Sequence, residues 1–155
     1  MPPSASASTL VLAKALADLG IACVLFTKPA LLYESPVTRR IAALTGLFTT
    51  NPRPAPGPAL NHSIACLVAA VGVGGVVAAR AVAGSGDKGG SGDKGEGAAV
   101  LGVVFAQHLT LSALALLTCL AAPRRWGVGG ATLLLGGLVN GAFSAALFAL
   151  GAGRG

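Results

Sequence analysis

Lys14 and Asp18 lie four residues apart inside "TLVLAKALADLGIACVLF", a segment otherwise apolar enough for a lipid bilayer. At that spacing the two side chains share one face of a helix and can form an ion pair. An unpaired charge at membrane depth costs several kcal/mol, so such residues face a protein interior and mark functional sites by default. His108 is the second unusual group, a histidine near the middle of another apolar run. Asp18 and His108 could exchange protons, with Lys14 holding Asp18 ionised, and this makes Asp18, His108 and Lys14 the candidate catalytic set. Asn140 and Ser144 in a further apolar run, and Gln107 beside His108, could orient a bound ligand. The competing reading is structural. Polar groups at one depth on several helices form interhelical hydrogen bonds that fix register, at about 0.6–2 kcal/mol each.

Other chemistries lack their motifs. There is no HExxH, CxxC, GxSxG, P-loop or DDxxD, and Cys23, Cys66 and Cys119 each sit alone in an apolar run. No metal and no cofactor is expected. His62 falls in the first turn of the second apolar run beside Asn61, a capping residue type, and reads as an interfacial histidine.

Four apolar runs must position these groups, at about 8–27, 59–83, 98–122 and 127–151. Each is close to the ~20 residues that cross a hydrocarbon core. Composition demands the same solvent. The 155 residues are 54% hydrophobic and 10% charged, with a mean hydropathy of +0.76, against about 45–50% and about 25% for a soluble domain. The fold class expected is all-α, a single membrane domain over 1–155 built as a four-helix bundle.

The connections carry the polarity. "TRRIAALTGLF" is expected to form a short interfacial helix between the first and second spans. Pro52, Pro54, Pro56 and Pro58 make an extended spacer. The stretch 84–97 contains "GSGDKG" twice and reads as a flexible polar loop. Arg124 and Arg125 then fit the headgroups, with Trp126 as an interfacial anchor.

The net charge of +6 comes from residues between the spans rather than from a basic stripe interleaved with aromatics, so nucleic acid is excluded as a partner. Lys28, Arg39, Arg40, Arg53, Arg124 and Arg125 share one face of the membrane, and Arg80, Lys88, Lys94 and Arg154 the other. The positive-inside rule makes the first face cytoplasmic and places both ends of the four-span set outside or in a lumen, in the endoplasmic reticulum for a eukaryotic chain. Small residues supply close packing: Ala70, Gly74 and Ala78 in the second span, Gly137 and Gly141 in the fourth. The Gly137/Gly141 face could serve a second copy or another membrane protein. Besides membrane lipid, the expected ligand is a hydrophobic metabolite such as a lipid, isoprenoid or polyketide. The functions that fit are a small membrane enzyme or its accessory subunit, a non-catalytic scaffold, and a small transporter.

Overall fold

In the computed structural model, residues 5–49, 58–84, 93–121 and 130–150 are described, and they fold into six helices with no strand among them. In chain order these are α1 (Ala5–Thr27), α2 (Ala30–Tyr33), α3 (Pro36–Thr45), α4 (Pro58–Gly84), α5 (Asp93–Ala121) and α6 (Gly130–Ala149). Four of them are long and apolar enough to cross a membrane. At 1.5 Å per residue, the 20 residues of α6 reach ~30 Å, the thickness of a hydrocarbon core. Leu16, Leu67, Val103, Leu114, Leu120 and Phe148 stand exposed on them, as lipid-facing side chains must. The chain is an integral, multi-pass membrane helix bundle.

The spans pack first in two antiparallel pairs, α1 with α4 and α5 with α6. On α1 the buried row is Val11, Ala15, Asp18, Ala22 and Leu25, spaced four and three like a coiled-coil seam. The facing row on α4 is Ala65, Gly72, Gly75, Ala79 and Val82. The helices come so close that a Cβ added at Gly75 would meet the Ala15 Cβ at 2.8 Å, and one at Gly72 the Leu19 Cγ at 2.8 Å. The Ser8 hydroxyl crosses the same gap to donate to the Ala79 carbonyl at 2.9 Å.

The expected Ala70–Gly74–Ala78 row is corrected here. Ala70 and Gly74 are exposed and nothing lies within 4 Å of a Cβ at Gly74; the packed face of α4 is rotated toward Gly72 and Gly75. In the second pair, Gly137 and Gly141 face α5 within the same chain. A Cβ at Gly137 would meet Leu116 at 3.1 Å, and one at Gly141 the Ser112 Oγ at 2.9 Å. The Ser112 hydroxyl donates to the Gly137 carbonyl at 2.7 Å. The face considered for a partner helix is thus occupied by α5.

The two pairs are joined mainly at one end. Ala7 and Val11 of α1, Ala78, Ala79 and Val82 of α4, Leu101 and Val104 of α5, and Phe143 and Leu147 of α6 form one buried core. At the opposite end Leu25, Tyr33 and Ala65 cluster around α1, α2 and α4, and α3 links across to α6. That link is the Ala131 N–H bonded to the Phe48 carbonyl at 3.0 Å, with Leu47 against Gly130.

Element boundaries shift from the sequence expectation where local chemistry allows. The interfacial helix spans Pro36–Thr45 instead of 38–48. Ser35 caps it by accepting from the Thr38 N–H at 3.1 Å, and Gly46, at φ 69°, ends it in a left-handed turn. The single turn of α2 between Pro29 and Pro36 was not expected. Residues 93–97, read as polar loop, begin α5 instead, with Glu96 an acid in its first turn. α4 starts at Pro58, so Asn61 is inside the helix and does not cap it. Asn61 accepts instead from the Tyr33 hydroxyl at 3.0 Å, and His62 stacks on Phe26 with ring centroids 4.4 Å apart. Pro52, Pro54 and Pro56, both loop repeats up to residue 92, and Arg124, Arg125 and Trp126 lie outside the described residues.

Candidate functional site: a buried Lys–Asp–His cluster between helix pairs

Lys14, Asp18 and His108 meet where the two helix pairs face each other. Asp18 projects from the buried row of α1 and His108 from the equivalent row of α5, Leu101–Val104–His108–Ser112–Cys119, while Lys14 reaches Asp18 from a half-buried position one turn earlier on α1. Asp18 is 7% exposed and His108 3%. The Lys14 Nζ donates to both carboxylate oxygens of Asp18, at 2.5 and 2.6 Å. Such a doubly bonded pair lets two charges stay in an apolar interior. The ammonium also lies 5.7 Å from the centroid of Phe143 on α6, a cation–π distance.

His108 is held on two sides. Its Nδ1 lies 2.9 Å from the Val104 carbonyl, and its ring packs against Phe143 at 4.6 Å between centroids. With Nδ1 donating its proton to the carbonyl, Nε2 is left as the chemically open atom. Nε2 points at Asp18 Oδ2 from 3.8 Å, beyond hydrogen-bond length, and is buried without a hydrogen-bond partner. Buried polar atoms are nearly always satisfied, so each exception needs an explanation. A proton on Nε2 would place a donor opposite the carboxylate and link α5 to α1 through Asp18.

Around these groups Val11, Ala15, Val71, Gly75, Val104 and Phe143 line a cleft too narrow to hold a water molecule. No water molecule therefore fits beside the cluster. A proton can be passed within it, whereas a substrate can enter only if the α1/α4 pair moves away from α5/α6.

The remaining candidates are not brought to this point. Asn140 donates to the Gly136 carbonyl at 2.8 Å and Ser144 to the Asn140 carbonyl at 2.9 Å, both along α6 itself. Ser144 is buried at the depth of the cluster, next to Phe143, and Asn140 is half-buried. Gln107 is exposed on α5, turned out of the packed row that carries His108. Phe143 is the neighbour that sequence reading missed. An aromatic in an apolar run looks like lipid-facing bulk until its helix is rotated into place. Among the described residues no group of three or more His, Cys, Asp or Glu gathers to hold a metal ion.

Comparison with protein-family models, curated proteins and solved structures gives no match.

Proposed function

We propose that the protein is a small membrane enzyme, or the accessory subunit of one, that exchanges a proton with a hydrophobic metabolite at Asp18 and His108. The observation that carries this reading is the buried, unbonded His108 Nε2 facing the Asp18 carboxylate. In the proposed roles His108 Nε2 takes or gives the proton, Asp18 stabilises the ring when it is charged, and Lys14 keeps Asp18 ionised and aimed. The metabolite reaches the site laterally from the bilayer when the α1/α4 and α5/α6 pairs part. Asn140 and Ser144 would contribute to ligand orientation only after exchanging their intrahelical bonds, and Gln107 is too far round α5 to do so in this arrangement. We assign the face carrying Lys28, Arg39 and Arg40 to the cytoplasm, and the endoplasmic reticulum as the membrane for a eukaryotic chain.

A second reading, a non-catalytic assembly protein, is favoured by the narrowness of the cleft and by the pairing of both Asp18 oxygens with Lys14. There the triad fixes helix register, and the exposed faces of α4 and α5 serve partner helices.

The two readings diverge in one experiment. The gene is deleted in its own organism, the extractable hydrophobic metabolites are profiled, and the strain is complemented with wild-type, Asp18→Asn or His108→Gln protein. Membrane levels of each variant are measured in parallel. The enzyme reading expects a metabolite change on deletion that neither variant corrects at normal protein level. Full correction by both variants would leave the triad as a structural device.

A further inference from the structure

We infer that α3 and the basic residues beside it form a docking surface for the headgroups of anionic lipids. α3 follows the C-terminal end of α1 and is tied by Phe48 and Leu47 to the first residues of α6, so it lies at the level where the spans leave the hydrocarbon. Its inner face is settled by Thr38, fully buried, with its hydroxyl on the Leu32 carbonyl at 2.9 Å, and by the half-buried Ile41 and Ala42. The outer face has a mixed character that neither water nor acyl chains alone would suit. Val37 is 55% exposed and Leu44 87%, seven residues apart and therefore stacked two turns from each other on one stripe. Arg40 is exposed between them, three residues from Val37 and four from Leu44.

This is the pattern of a helix lying in a membrane surface, with apolar side chains pointing down and arginine stems reaching along them to the phosphates. The charge at this end selects the kind of headgroup. Glu34 is the one acid on the described part of this face, and it is paired at 3.6 Å with Arg39 through side chains that are both largely exposed. Arg40 and Lys28 have no ion-pair partner among the described residues. A zwitterionic headgroup would leave that excess uncompensated, whereas a phosphatidylserine or phosphatidic acid headgroup neutralises it, the guanidinium matching phosphate with two parallel N–H bonds. An acidic soluble protein would satisfy the arginines yet leave Val37 and Leu44 in water, so lipid is the occupant that uses the whole face.

The test uses the full-length protein purified in detergent and presented with phosphatidylserine or phosphatidylcholine of identical acyl chains, with bound lipids counted by native mass spectrometry. Wild-type protein should retain phosphatidylserine in preference. Lys28→Gln with Arg40→Gln should lower that affinity by about thirtyfold, two basic contacts being lost at the anionic surface. Arg80→Gln, an exposed arginine at the other end of α4, should leave the preference intact. Equal retention of both lipids by wild-type protein, or an equal loss in the Arg80 variant, would overturn the proposal.

Discussion

Asp18 can remain in the bundle because Lys14 neutralises it with two hydrogen bonds, and this dependence can be measured. Lys14→Met leaves a buried carboxylate without its cation, and breaking such a pair on one side typically costs about 3–5 kcal/mol. Removing both partners, Lys14→Met with Asp18→Leu, should recover most of that loss, because apolar replacements of a buried pair are often neutral. Thermal unfolding in detergent micelles compares the two directly. A double variant as unstable as the single one would mean that Asp18 has a further structural duty toward His108. Tyr33 gives a prediction with a pH axis. Its phenol is buried against α4 and bonded to Asn61, and burial pushes its pKa above the ordinary value of 10.0. The folded chain therefore prefers the neutral phenol. The stability this contributes is fully present below about pH 10 and is lost as pH rises through the higher folded value. Tyr33→Phe should lower stability by about 0.5–1.5 kcal/mol at neutral pH and lessen the alkaline decline.

At the scale of helices, the glycines separate packed faces from lipid-facing ones. Gly75→Ala sets a methyl group 2.8 Å from the Ala15 Cβ, so α1 and α4 must move apart, and overpacking of this kind costs about 1–3 kcal/mol. Gly74→Ala, one residue away, meets nothing within 4 Å and should be neutral or slightly stabilising through helix propensity. A clear fall in melting temperature for the first and none for the second is the expected outcome. Equal effects would mean that α4 is rotated differently about its axis. Such a rotation is also what hydropathy alone cannot supply. Spans are legible because lipid selects for apolar composition over some 20 residues, so the four helices could be read directly and only their ends moved. When every residue of a helix is apolar, composition does not say which stripe is packed, and Ala70–Gly74–Ala78 looked as good as Gly72–Gly75–Ala79. The better signal was the alternation of four and three from Val11 to Leu25, because Asp18 falls on that row and so identifies the inward face of α1. His108 on its own row of α5 carries the same information, and Gln107, one residue away, falls off it. The meeting of Asp18 with His108 was foreseeable from depth. The closeness of Phe143 and the tightness of the cleft depend on helix rotations and separations that no residue count contains.

For the whole molecule, four spans place the N-terminal end of α1 and the C-terminal end of α6 on the same side of the membrane, with α3 opposite. Which side is which depends on charge. By sequence position, Lys28, Arg39, Arg40, Arg53, Arg124 and Arg125 fall toward the α3 end of the spans, and Arg80, Lys88, Lys94 and Arg154 toward the other. Six basic residues against four should hold the α3 end in the cytoplasm. Labelling with a membrane-impermeant maleimide tests this in a background lacking Cys23, Cys66 and Cys119. Ala43→Cys, exposed on α3, should react from the cytoplasmic side and Gly84→Cys, exposed at the end of α4, from the opposite one. The margin itself can then be probed. Arg39→Gln with Arg40→Gln reduces the count to four against four, and the labelling should divide between the two sides because insertion no longer has a charge difference to follow. If the double variant keeps one orientation, something other than charge fixes it. The foremost candidate would be the apolar stripe of Val37 and Leu44, which anchors α3 in whichever leaflet it first meets.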